Sequence, residues 1–203
     1  NSFEKGFEAY YSLVNNNFGI LQLSHIGNVN DLVQAINSSE PRNTEDFSHK
    51  IENPKQTILH HLGKIEAYKR FKGFGKLSVQ YDFQLNRRKE YDLGRGNREN
   101  TPVIDLRLFT TSIQTNLHID FLPNVKFDVG LLGRFQQNNA VAGTRSRPLI
   151  PDYEKIDAAV YSIGNYKIDE TTEINAGIRY DYSSIDANKT YLFIQSDSTN
   201  VGY

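Results

Sequence analysis

The sequence predicts an all-β chain: an antiparallel up-and-down meander of about eight long strands, a slice of a transmembrane β-barrel. Three observations lead there. Several stretches alternate apolar and polar residues with a period of two, which puts one kind of side chain on each face of a strand. The connections between those stretches are alternately short and long. No run approaches the roughly 18 uninterrupted apolar residues of a spanning helix, so a membrane would be crossed by strands, whose signal is alternation.

The clearest stretch is 75–86, GKLSVQYDFQLN. Gly75, Leu77, Val79, Tyr81, Phe83 and Leu85 share one parity, and Lys76, Ser78, Gln80, Asp82, Gln84 and Asn86 the other. Before it, Phe3, Phe7, Ala9, Tyr11 and Leu13 alternate with Glu4, Glu8 and Ser12. Asn15-Asn16-Asn17 then reads as a tight turn, because Asn tolerates left-handed backbone and closes its own local hydrogen bonds, and Phe18 to Ser24 reads as a return strand. Inside the long connection 25–57, Val29, Leu32, Val33 and Ile36 recur at helical spacing, which predicts a short helix at about 30–37 with Asn28 or Asn30 as its N-cap. Gly63, Ile65 and Ala67 alternate again within 58–70.

The stretch 103–120 is longer and changes sides: Ile104, Leu106 and Leu108 hold one parity, Ile113, Leu117 and Ile119 the other. Either a β-bulge near Thr110–Ser112 restores a single face, or the outer end rises above the membrane and packs differently. Val125, Phe127, Val129, Leu131, Gly133 and Phe135 continue the pattern. Residues 153–166 offer two apolar parities, Ile156/Ala158/Val160 or Ala159/Tyr161/Ile163. Ile174, Ala176, Ile178, Tyr180 and Tyr182 close it, and a ninth strand could begin at Tyr191.

Composition fits. The 203 residues include 12 Tyr and 12 Phe, with no Cys, Met or Trp, and a net charge of −1. That charge argues against a nucleic-acid partner, and the missing cysteines exclude disulfides and thiolate chemistry. The chain starts at Asn1 with neither Met nor a signal peptide, which predicts a piece of a longer protein.

Short turns fall at about 14–17, 71–74, 121–124 and 167–171, and long connections at 25–57, 87–102, 138–152 and 183–203. In a meander every second connection lies at the same end. Short turns at one end and long loops at the other are the asymmetry of outer-membrane barrels. The polar parity would then face the lumen, including Lys76, Gln80, Asp82, Lys126, Asp128, Arg179 and Asp181. Phe71, Phe74, Phe121, Phe135, Tyr166 and Tyr182 would form interfacial girdles.

Several stretches, in order along nearly the whole chain, resemble the barrel of TonB-dependent outer-membrane receptors of the kind common in Bacteroidetes. They are SHIGNVNDLVQAI (24–36), FSHKIENPKQTILHHL (47–62), LSVQYDFQLNRRKEYDLGRG (77–96), FQQNNAVAGTRSRPLIPDY (135–153) and INAGIRYDY (174–182). The resemblance implies a partial barrel spanning 1–203, in the bacterial outer membrane, without its plug domain. Its implied partners are membrane lipid, the plug of the same parent chain, the TonB complex through an N-terminal region absent here, and a small-molecule ligand such as a siderophore. The implied activity is energised uptake of a scarce nutrient such as a ferric chelate. Two other readings stay open: a complete eight-stranded outer-membrane barrel with a structural or adhesive role, and a soluble β-barrel binding an apolar ligand.

No catalytic constellation, cofactor motif or metal site emerges, so the chain reads as a non-enzyme. His60 and His61 are adjacent and would point to opposite faces, and the remaining histidines lie in other elements. Candidate ligand contacts in the loops are His25, Arg87, Arg88, Tyr91, Arg95, Arg145 and Arg147. The arginines suit a basic rim that attracts an anionic ligand. The plainer role for any one of them is to anchor a loop to a carboxylate or a lipid headgroup.

Overall fold

A computed structural model describes residues 4–20, 28–39, 48–93, 100–146 and 150–188. Seven strands run in sequence order: β1 (Lys5–Gly19), β2 (Lys55–Phe71), β3 (Gly75–Tyr91), β4 (Ile104–Leu122), β5 (Val125–Ala140), β6 (Asp152–Lys167) and β7 (Glu173–Asn188). Each pairs antiparallel with its sequence neighbours, so the sheet order is β1-β2-β3-β4-β5-β6-β7. β1 and β7 are the two edges, and the sheet does not close on itself. β1 and β7, which would have to pair in a complete small barrel, therefore lie at opposite sides.

Directly paired residues share a face, so the register sorts the whole sheet. One row reads Phe7, Ala67, Val79, Thr115, Leu131, Val160, Tyr180. The next reads Ala9, Ile65, Tyr81, Ile113, Gly133, Ala158, Tyr182. This face is apolar across all seven strands and no described residue covers it: Leu131 is 56% exposed, Phe7 69% and Ile178 76%. Among the described strand residues the one buried aliphatic side chain is that of Ala159, and it lies on the opposite face.

The apolar belt crosses the sheet at an angle. On β3 it ends at Leu85, whose row runs through Phe109, Gln137 and Glu154 to Asp186. On β7 the apolar run ends at Tyr182, four positions short of Asp186. Four residues at ~3.3 Å over four strand spacings of ~4.8 Å give an inclination of about 35°. That is within the range of strand tilt that spanning barrels use.

The strands are 15 to 19 residues long, so they extend well past the 9–11 tilted residues needed to cross hydrocarbon. The excess lies at the end of the long connections. There β3 continues to Tyr91 against Lys55, beyond the point where alternation stops. The stretches 55–57, 87–91, 138–140 and 183–188, expected in loops, are thus ladder residues.

Three expectations are corrected. Asn15-Asn16-Asn17 is not a turn: these residues pair with Leu59, Ile58 and Thr57 in the β1–β2 ladder, and Phe18 and Gly19 extend the same strand. Cross-strand pairing outweighs the turn preference of Asn, and the strand number falls from eight to seven. The rest of the expected return strand, 21–24, lies outside the described residues, as does the possible strand at Tyr191. No bulge interrupts β4 at Thr110–Ser112, where the register is continuous on both sides; it shifts instead between Ile119 and Leu122. The change of apolar parity is real, and belongs to the end of β4 beyond the belt. For β6 the register puts Ile156, Ala158 and Val160 on the apolar face.

Helix α1 (Val29–Asn37) forms where the spacing placed it. Asn28 is its cap: its Oδ1 accepts the Asp31 N–H at 2.9 Å. Val29, Leu32, Val33 and Ile36 remain exposed, with no strand against them.

Two of the short turns show why they are short. Gly73 takes φ of 67°, which a side chain would resist, and the Phe74 N–H donates to the Phe71 carbonyl at 3.1 Å. In 168–172 the Asp169 carboxylate accepts from the Thr171 N–H, the Thr171 hydroxyl and the Thr172 N–H, each at 2.8 Å. Those bonds, the Thr171 N–H foremost, hold its pKa below the ordinary carboxylate value. A carboxylate with a lowered folded pKa contributes stability above its unfolded value, about pH 4, and loses it as pH falls further. The amide-proton shifts of Thr171 and Thr172 in detergent micelles are therefore expected to move together below about pH 4, and to stay fixed over that range in Asp169→Ala.

Candidate functional site: the charged face and the basic rim

The face opposite the belt is charged. Lys76, Gln80, Asp82, Lys126, Asp128, Arg179 and Asp181 all fall on it by register. Most of its charges are paired. Lys64 meets Glu66 at 3.0 Å, Lys155 meets Asp157 at 3.0 Å, and Arg179 holds Asp181 through Nε and Nη2. The Ser112 hydroxyl donates to Asp82 at 2.7 Å, and the Lys76 ammonium sits 4.3 Å from the centre of the Tyr68 ring. His118 bonds Asp128 at 2.9 Å through Nδ1, and Arg70 reaches Asp120 at 3.3 Å. These pairs tie neighbouring strands or residues two apart on one strand, except Arg70–Asp120, which reaches from β2 to β4, and the face is closely balanced in charge.

The pattern cation-x-anion recurs at Lys64-Glu66, Arg88-Glu90, Lys155-Asp157 and Arg179-Asp181. Residues two apart share a strand face, so this spacing was readable as internal pairing. No group of His, Asp or Glu among the described residues could hold a metal ion. His60 bonds Asn86 and His61 bonds the Tyr11 hydroxyl, on opposite faces as adjacency requires.

The loop candidates do not converge on one spot. Arg87 lies on the apolar side of the sheet and donates twice to Asp105, at 3.0 and 2.7 Å; Asp105 is only 4% exposed. Arg88 lies on the charged face and pairs with Glu90. Tyr91 shares Arg87's side, with the Lys55 ammonium 5.4 Å from its ring centre. Arg145 acts as a strut. Its guanidinium donates to the Asp92 and Leu93 carbonyls, both at 3.1 Å, while its N–H bonds the Pro102 carbonyl at 3.0 Å. The Val141 N–H adds a bond to the Asp105 carbonyl at 2.8 Å. The connections after β3 and β5 are thereby stitched together. His25, Arg95 and Arg147 lie outside the described residues.

Of the aromatic residues expected as girdles, Phe71 and Tyr166 lie on the apolar face toward the short turns, and Phe74 sits in the first of them. Phe135 and Tyr182 lie on the same face toward the long connections, with Phe109 6.5 Å from Phe135. The side chain of Phe121 lies outside the described set.

Arg107 went unmarked in the sequence because it sits within a long strand stretch. The register sets it directly opposite Arg87, just past the end of the belt.

No protein-family model matches the chain, and no curated protein matches it.

Proposed function

We propose that the chain is part of the barrel wall of an outer-membrane receptor of the TonB-dependent kind, serving energised uptake of a scarce small molecule such as a ferric chelate. The observation that carries this reading is the bare apolar face running obliquely across seven long strands. A soluble barrel would turn that face inward and bury it. A membrane leaves it facing lipid, where backbone groups must be satisfied by strand pairing, as they are here between consecutive strands.

On this reading the charged face is the lumen wall. Short turns face the periplasm, and the stitched connections after β3 and β5 stand outside the cell. The specific kind of receptor rests on the sequence resemblance. Paired charges suit a wall that meets a hydrated plug, and leave ligand contact to the loops.

Membrane fractionation of cells carrying the gene, followed with an antibody to this chain, tests the location. Recovery with the outer membrane is expected; recovery in a soluble compartment overturns the reading. Ligand uptake that persists after the proton gradient is collapsed would overturn the energised part.

A further inference from the structure

We infer that the rim of the apolar face carries a binding site for a phosphorylated, anionic lipid, with Arg107 and Lys89 as headgroup contacts. This rests on the membrane reading above and adds a ligand class and residues to it. Four cationic side chains lie on the apolar side just past the end of the belt: Arg87, Lys89 and Lys55, with Arg107 facing Arg87 across the β3–β4 pair. Below them, on the same face, are Leu59, Leu85 and Phe109. A single groove of about 330 Å³ is lined by Leu59, Leu85 and Phe109 together with Arg87 and Arg107. An apolar floor leading to a cationic lip fits an amphiphile with an acyl chain and an anionic head.

Electrostatics identifies the missing partner. Like charges directly opposite on paired strands repel. Arg87 is compensated by its two bonds to Asp105. Arg107 is exposed, and its side chain, like that of Lys89, makes no hydrogen bond or ion pair among the described residues. On the β5 side Arg107 faces Asn139, which carries no charge. On the β2–β4 part of the rim, Lys55, Lys89, Arg87 and Arg107 stand against Asp105, an excess of positive charge at the depth where headgroups lie; the acids Glu154 and Asp186 on the same face belong to β6 and β7. Arg107 and Lys89 are diagonal neighbours on one face, and a bound phosphate would lie above the Arg87–Asp105 pair that fills the crossing diagonal, within reach of both cations.

The test incorporates the full protein that carries this chain into phosphatidylcholine vesicles containing a minor share of phosphatidylglycerol, extracts it in mild detergent, and measures the retained lipids by mass spectrometry. About 1 kcal/mol per cation near the surface corresponds to about fivefold in retention. The expected result is a preference for phosphatidylglycerol of at least about fivefold, falling toward parity in Arg107→Gln and kept in Arg107→Lys. Lys126→Gln removes the same charge from the opposite face and is expected to leave the preference intact. No preference, or one unchanged by Arg107→Gln, overturns the site. Loss of the retained lipid to excess inorganic phosphate would mean that the rim selects a free anion, and would overturn the lipid assignment. Flotation with pure phosphatidylcholine vesicles separates the two levels. A full protein that floats without preference overturns the site alone, and one that does not float overturns the membrane reading and the site with it.

Discussion

Arg87→Ala is expected to destabilise the folded sheet by about 2–3 kcal/mol, read as a lower urea midpoint in detergent micelles. Asp105 is 4% exposed and receives both of its short side-chain bonds from Arg87. Removing the guanidinium leaves a desolvated carboxylate alone. Breaking a fully buried pair this way costs about 3–5 kcal/mol, and the Arg87 side chain, at 37% exposed, argues for the lower end and below. Arg87→Lys keeps the charge but not the two-pronged geometry, so about half the loss is expected. The double variant Arg87→Ala with Asp105→Ala should recover part of it, since no buried charge remains. Equal losses in the single and double variants would remove the ion pair from the account. The effect should also reach the neighbouring connection, because the Asp105 carbonyl holds the Val141 N–H.

The second large effect belongs to Gly130. The register aligns Asn116, Gly130 and Tyr161 on β4, β5 and β6. The Tyr161 ring lies over Gly130, and its hydroxyl donates to Asn116 Oδ1 at 3.3 Å. One side chain thus bridges three strands because the middle position has no Cβ, and a Cβ there would collide with the ring. Gly130→Val is expected to lower stability by about 2 kcal/mol, with ring displacement and the lost hydrogen bond contributing. A double-mutant cycle with Tyr161→Ala isolates this cause. Once the ring is gone, valine at 130 should do little harm and could even favour the strand. Additive losses would show that the ring is not the reason for the glycine.

The fold was largely legible because an exposed apolar belt imposes strict alternation, as in Leu77, Val79, Tyr81 and Phe83. The same physics explains where the reading fell short. Alternation records a difference in solvent between two faces. Past the belt the rule lapses: Arg87 to Tyr91 lose the pattern and Ile104 to Leu108 alternate with the opposite parity, while their ladder continues unbroken. The Asn15–Asn17 run misled for a related reason. Turn preference is local, and its pairing with Thr57–Leu59 is decided some forty residues away in the chain. Of the candidate site, the charged parity was readable residue by residue. The partners of Arg87 and Arg145 were not, because they depend on which connections the register brings side by side. Arg107 stayed hidden until pairing set it opposite Arg87.

The spacing of the connections also sets an order of assembly. β2–β3, β4–β5 and β6–β7 are each closed by a few residues, whereas β1 reaches β2 only after the stretch 20–54. The chain entropy of ring closure grows with the logarithm of length, so joining β1 to β2 costs about 2 kcal/mol more than closing β2 onto β3. The three hairpins are thus the natural first units to zip, and they merge side by side into a larger sheet. β1 docks last and lacks a tight turn to hold its register, so its amides are expected to exchange faster than those of β2, which both neighbours pair.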